Sequence, residues 1–170
     1  LNWTRVRNRR NSVFAPQDIY KDAIIRLESS QWADGEQLDP VRLMTHGQFS
    51  YEKQAKVWNI SYDESDATGM RGTKTRVSLF PNGRVVLSRT GSVEMEIEFV
   101  KGDQRIETQL TPYGPVRLSV LTHEAKGNMT EEGGAIELGY SLDFDSRHTI
   151  STTLQLEVTA NPPEHKEPVG

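Results

Sequence analysis

Residues 93–99 read VEMEIEF, and this strict alternation constrains the fold more than any other stretch of the chain. Val93, Met95, Ile97 and Phe99 share one parity; Glu94, Glu96 and Glu98 share the other. Successive strand side chains point to opposite faces, so the segment reads as a strand with one apolar side and one charged, water-facing side. A helix would scatter the same residues around its circumference. The same period recurs along the chain. Ile136, Leu138, Tyr140, Leu142 and Phe144 share a face, as do Leu154, Leu156 and Val158. Val116, Leu118 and Val120 form another set, and Thr75, Val77 and Leu79 another. Trp58, Ile60 and Tyr62 follow the rule, and Val41, Leu43, Phe49, Tyr51 and Ala23, Ile25, Leu27 extend it toward the N-terminus. No window of about eleven residues carries a comparable helical stripe. The chain reads as all-β.

Turn chemistry falls between these runs. Asn82-Gly83 separates Leu79-Phe80 from Val85-Val86-Leu87, a strong hairpin signal. Gly102-Asp103 joins the glutamate-rich strand to the next, and Thr111-Pro112-Tyr113-Gly114-Pro115 forms a corner. Longer polar connections are expected near 30–40, 65–72 and 124–134. Mostly short links make sequence neighbours spatial neighbours. The expected architecture is a closed or nearly closed antiparallel up-and-down barrel of about 8–10 strands, since closure removes exposed edges. A two-sheet sandwich is the competing arrangement, and its longer Greek-key crossovers are not evident.

At 170 residues and 35% hydrophobic the chain suits one domain, placed at residues 18–160. Residues 1–17 carry Arg5, Arg7, Arg9 and Arg10 with no acid before Asp18 and read as a basic, flexible arm. Residues 161–170, NPPEHKEPVG preceded by strand, read as a disordered tail. No apolar run is long enough for a membrane-spanning helix. The chain has no cysteine, which excludes disulfides and thiol chemistry. A net charge of −4 disfavours nucleic acid gripped by the whole surface.

Parity exposes two charges on the wrong side. Arg89 shares the inward face of Val85 and Leu87, and Glu64 shares that of Ile60 and Tyr62. A buried charge is unfavourable unless paired and hydrogen-bonded. Glu64 and Arg89 are therefore expected to meet at one rim, with Tyr62, Thr75 or Tyr113 completing the hydrogen bonds. Such a pair closes the barrel as a salt bridge, or the arginine simply emerges at the strand end into water, or the two anchor the head group of a small ligand in an otherwise apolar pocket. His46, His123, His148 and His165 have no paired metal-ligand spacing, so no metal site is expected. No nucleophile elbow, phosphate loop or dinucleotide fingerprint is present, and neither catalysis nor a cofactor is expected.

The run ISYDESDATGMRGTKTRVSLFPNGRVVLSRTG, the corner LTPYGPVRLSVLTHE and the strand GGAIELGYSLDF together resemble the YwiB-like family of small bacterial proteins, a domain of unknown function. The similarity spans about residues 20–160. It rests on Tyr62-Asp63-Glu64 with Thr68-Gly69, Gly72-Thr73 with Thr75, Arg89 with Gly91, and the Thr111-Pro112-Tyr113-Gly114 corner. Gln109 departs from the family, which tends to carry an aromatic there. The resemblance implies a calycin-like barrel, similar to lipocalins, and a cytoplasmic bacterial location; it implies no activity. The expected function is a non-catalytic barrel that takes a small amphipathic or apolar molecule in its interior, held near Glu64, Arg89, Tyr62, Thr75 and Tyr113. The alternative is a protein- or RNA-interaction module using its rim or outer face, favoured by Arg71, Lys74, Arg76 and Arg84 and disfavoured by the Glu94-Glu96-Glu98 ladder.

Overall fold

A computed structural model describes residues 18–161 apart from 112, 146 and 147. The basic arm lies outside the described residues, as does all of the expected tail except Asn161. The chain runs β1 (Ile19–Ala33), β2 (Glu36–Gln37), β3 (Val41–Glu52), β4 (Val57–Asp63), a short 3-10 turn (Asp66–Thr68) and β5 (Thr73–Leu79). It continues through β6 (Val85–Gly91), β7 (Met95–Phe99), β8 (Gln104–Thr111), β9 (Gly114–Thr130), β10 (Gly133–Asp145) and β11 (His148–Ala160). Every ladder is antiparallel.

The strands form one sheet in the order β7-β6-β5-β4-β3-β1-β11-β10-β9-β8, with β2 paired to β1 alone. First and last strands are joined over eleven residue pairs, from Ala23↔Ala160 to Ala33↔Ile150. The ring is thus a nearly closed barrel of ten strands, and its break lies between two strands adjacent in sequence, β7 and β8. Gly102 and Asp103 do make the turn between them, with Asp103 N–H donating to Val100 O at 2.9 Å, yet no ladder follows. Side chains bridge the break instead. Arg105 Nη1 lies 2.7 Å from Glu98 Oε1, and Gln109 Nε2 donates to the Glu96 carbonyl at 3.3 Å; on the β6 side, Arg84 Nη1 lies 2.9 Å from Glu98 Oε2.

Parity holds where it was clearest. Ile25, Phe49, Ile60, Phe99, Ile136 and Leu156 are all at most 1% exposed and occupy the barrel centre. Burial of that many large side chains is the main favourable term in the fold. The expected connection at 124–134 is mostly strand: β9 runs to Thr130, and only Glu131 and Glu132 separate it from β10. Its inward positions are Ala125, Gly127 and Met129, and with two of the three small the segment carries little hydrophobic signal. A Cβ on Gly127 would meet Leu79 Cδ2 at 2.6 Å, so the strand lies close against β5 there. β9 also carries a bulge, because Gly139 pairs with Glu124 and Tyr140 with Thr122, leaving His123 as the extra residue.

Candidate functional site

One inward-facing row crosses six strands in register: Ala23, Gly47, Tyr62, Thr75, Arg89 and Met95 on β1, β3, β4, β5, β6 and β7. The glycine in this row makes room for the tyrosine. A Cβ at position 47 would lie 2.4 Å from the Ser61 carbonyl oxygen and 3.2 Å from Tyr62 Cβ. Glu64 stands one step beyond Tyr62, where its N–H donates to Thr73 O at 2.8 Å and prolongs the β4–β5 ladder.

The segment after Glu64 folds back on it. Ser65 caps the 3-10 turn by accepting from Ala67 N–H, and Gly69 ends it in the left-handed region at φ 73°. This places Thr68 Oγ1 2.7 Å from Glu64 Oε2, to which it donates. Thr75 Oγ1 donates to the other carboxylate oxygen, Oε1, at 2.5 Å. The Glu64 side chain is only 1% exposed. Its two oxygens are thus held by two hydroxyls, with Arg89 Nε at 3.8 Å from Oε1. Arg89 Nε also donates to Thr75 Oγ1 at 3.3 Å, so the Thr75 hydroxyl links cation and anion. At the end of β6, Gly91 has φ 112°, and a Cβ there would meet the Gly72 carbonyl oxygen at 2.2 Å. Only glycine permits that approach of the two rim segments flanking Arg89.

The cluster extends across the barrel. Burial raises the Tyr62 hydroxyl far above its ordinary pKa, with the Glu64 charge adding to the rise and Arg89 opposing it. Tyr140 on β10 is likewise raised by burial, opposed by the Arg89 charge and by a hydrogen bond with Thr152. Its ring also packs on Phe99, with centroids 4.7 Å apart. Gln31 Nε2 reaches Thr152 Oγ1 at 3.5 Å. A polar layer therefore lies on one end of the apolar core, and no side-chain polar atom buried in it lacks a partner among the described residues.

Of the five site residues expected from sequence, the structure brings together Tyr62, Glu64, Thr75 and Arg89. Tyr113 is a correction. It lies at the β8–β9 turn, beyond the last ladder pair Thr111↔Gly114, and is 99% exposed. A side chain at a hairpin tip has no opposing strand to turn it inward. Sequence reasoning missed Thr68, Tyr140, Thr152 and Gln31. Tyr140 was assigned the inner face as an apolar residue, and only its hydroxyl went unused. Thr68 left a trace in the Ser-Asp-Ala-Thr-Gly run, which reads as a capped turn that returns to its own start.

Arg89 has a second environment. Its side chain is 19% exposed, and its Nη1 has Met95 Sδ at 4.0 Å as its one hydrogen-bond partner. Among the described residues no oxygen lies in hydrogen-bonding reach of either Nη nitrogen. The same residue lines a cleft of about 520 Å³ along the β7–β8 break, with Ser88, Met95, Glu94, Glu96, Glu107 and Gln109 among the walls. Arg89 thus holds Glu64 through Nε and also lines a cleft whose walls carry Glu94, Glu96, Glu98 and Glu107 alongside Arg105. Of the cations expected on an interaction face, Arg71 pairs with Asp66 at 3.6 Å and Arg84 pairs with Glu98 while lying 3.8 Å over the Phe80 ring. Among the described residues no group of three histidine or carboxylate side chains could hold a metal ion, and no helix is long and apolar enough to cross a membrane.

Comparison with known proteins accounts for the shape. The crystal structure of YwiB protein from Bacillus subtilis superposes with a TM-score of 0.69 at 23% identity, covering 84% of this chain and 94% of that one. By sequence the chain is 31% identical over 126 residues to the uncharacterized beta-barrel protein YwiB of Bacillus subtilis (strain 168), which is 73% of this chain and 84% of that protein. The family model of a domain of unknown function, DUF1934, matches residues 25–156. The period-two strands, the inward Glu64–Arg89 pair and these matches agree: the chain belongs to the DUF1934 family of β-barrel proteins.

Proposed function

We propose that this barrel is a non-catalytic, cytoplasmic binding protein for a small amphipathic molecule. The molecule enters through the β7–β8 cleft and sets a hydrogen-bond-accepting head against Arg89. The supporting observation is the two-sided arginine: Nε is committed to Thr75 and Glu64, while Arg89 also lines the cleft and neither Nη nitrogen makes a hydrogen bond to oxygen among the described residues. Arginine presents two parallel N–H donors there, a geometry that matches a carboxylate or carbonyl head. The cleft is favoured over the barrel centre, which Phe49, Phe99, Ile25 and Ile60 occupy. Met95 and the stems of the flanking side chains offer the body of the ligand an apolar strip. Glu94, Glu96 and Glu107 in the cleft lining select against a second negative charge and favour a head that also carries a positive one.

Native mass spectrometry of freshly purified protein tests this reading. The expected result is a co-purifying mass on the wild-type chain that disappears with Arg89→Met and persists with Arg42→Met on the opposite side of the sheet order. A bound mass unaffected by the Arg89 change, or none on either protein, contradicts it.

A further inference from the structure

A second depression, of about 410 Å³, lies on the outer face of β3–β6, away from the β7–β8 cleft. Register places its walls in outward rows. Tyr20, Ser50, Asn59 and Ser78 form one row, Gln48, Ser61, Arg76 and Ser88 the next, and Lys74 and Thr90 lie beyond. Most of these side chains are short, so a ligand can approach the sheet closely.

Two features give the depression a chemical preference. Asn59 is only 8% exposed although it points away from the core. Its Oδ1 accepts from Arg76 Nε at 3.2 Å and from Ser78 Oγ at 2.6 Å, which fixes the amide orientation and leaves Nδ2 without an acceptor among the described residues. Among the described residues Lys74 and Arg76, like Lys21, Lys53, Lys56 and Arg117, have no carboxylate within ion-pair distance, whereas Arg26, Arg42, Arg71, Arg84, Arg89, Lys101, Arg105 and Lys126 all do. Donors converge here with no acid in contact. That is the complement of an anion rich in acceptor oxygens.

The spacing indicates a chain of charges rather than one. Lys74 and Arg76 are two residues apart on β5, so their stems start ~6.6 Å apart along the strand. Tyr20, 75% exposed, stands at the far side of the depression, three strand spacings or ~14 Å from β5. A flat ring exposed beside a cationic track is the arrangement on which unpaired bases stack. We infer that the outer face of β3–β6 binds single-stranded nucleic acid, with successive phosphates on Lys74 and Arg76 and a base on Tyr20. Asp63, opposite Lys74, Asp22, opposite Gln48, and Glu96, opposite Ser88, border the track and confine it to a few nucleotides. A small footprint of this kind is compatible with the chain's net charge of −4.

Fluorescence anisotropy of the full chain with a labelled oligouridylate of about six residues tests the inference. Two single-strand phosphate contacts give a salt slope of about −1.4, so affinity should fall about sevenfold between about 50 mM and about 200 mM salt. Lys74→Gln with Arg76→Gln should weaken binding at least tenfold, and Tyr20→Ala at least about fivefold. Arg117→Gln, an exposed cation on β9, should leave it unchanged. Ser61→Glu, which adds an anion to the track from β4, gives the same loss should the β5 variant fail to fold by circular dichroism. Absence of saturable binding at the lower salt overturns the inference, as does an affinity insensitive to these changes. Competition by uridine monophosphate mole for mole with the oligomer also overturns it, because a single phosphate would then suffice.

Discussion

Replacing Arg89 with methionine removes the one cation among the described residues within ion-pair distance of Glu64, a carboxylate that is 1% exposed. At 3.8 Å the attraction lost is about 4 kcal/mol with an effective dielectric constant of about 20. Part of that is recovered, because the arginine no longer loses hydration and methionine fills its stem volume. Thr68 and Thr75 still donate to Glu64, so the carboxylate is not abandoned. The expected net loss is about 3 kcal/mol, at the low end for breaking a buried pair. For a domain of this size that is a fall in Tm of about 6–12 °C. The second arm of the cycle is Glu64→Gln in the Arg89→Met background, which deletes the uncompensated charge and should restore about 2 kcal/mol. Urea unfolding followed by tryptophan fluorescence gives all four corners, with a coupling energy of about 2–3 kcal/mol expected. Arg89→Met within about 0.5 kcal/mol of wild type, or additivity of the two changes, would refute the claim that the pair is energetically joined.

The raised Tyr62 and Tyr140 hydroxyls make a statement about alkaline stability. Folded-state values above the unfolded one mean that this contribution is complete below about pH 10 and is lost as pH rises beyond it, by up to about 1.4 kcal/mol per pH unit for each tyrosine. Denaturation midpoints between about pH 8 and pH 11 should therefore fall less steeply in Tyr62→Phe than in wild type; equal slopes would contradict the burial argument. Gly47→Ala should destabilise by about 2–3 kcal/mol, because the new methyl meets the backbone of Ser61, which cannot move aside without disturbing the β3–β4 ladder. A midpoint unchanged in urea would show that the row beside Tyr62 is looser than its geometry implies.

Strand identity was legible because a barrel wall is wet on one side and dry on the other, which prints a period of two on the residues. That signal weakens where most of the inner residues are small. Ala125, Gly127 and Met129 lie on the core side of β9, yet the surrounding Lys126 and Asn128 made the segment resemble a loop. The same parity found Arg89 and Glu64, since a charge among Val85, Leu87, Ile60 and Tyr62 needs either a partner or an exit to water at the strand end. It could not find the cleft. Which neighbouring strands fail to pair depends on how the ring closes through β1 and β11, and on Arg105 and Gln109 meeting β7 by side chain instead of backbone. Tyr113 shows the opposite limit: parity says nothing at a hairpin tip, where the pleat has ended.

Methyl-resolved NMR reads the occupied position most directly, since Met95 lies in the cleft beside Arg89, Met129 faces the core and Met44 is 65% exposed on β3. On titration with an alkyl betaine of about ten carbons, whose head carries both charges, the Met95 methyl should move in a saturable way while Met129 and Met44 hold still, and Arg89→Met should abolish the response. A Met129 methyl that moves instead would place the ligand in the barrel centre, and a Met95 methyl that stays fixed to saturation would contradict binding at Arg89.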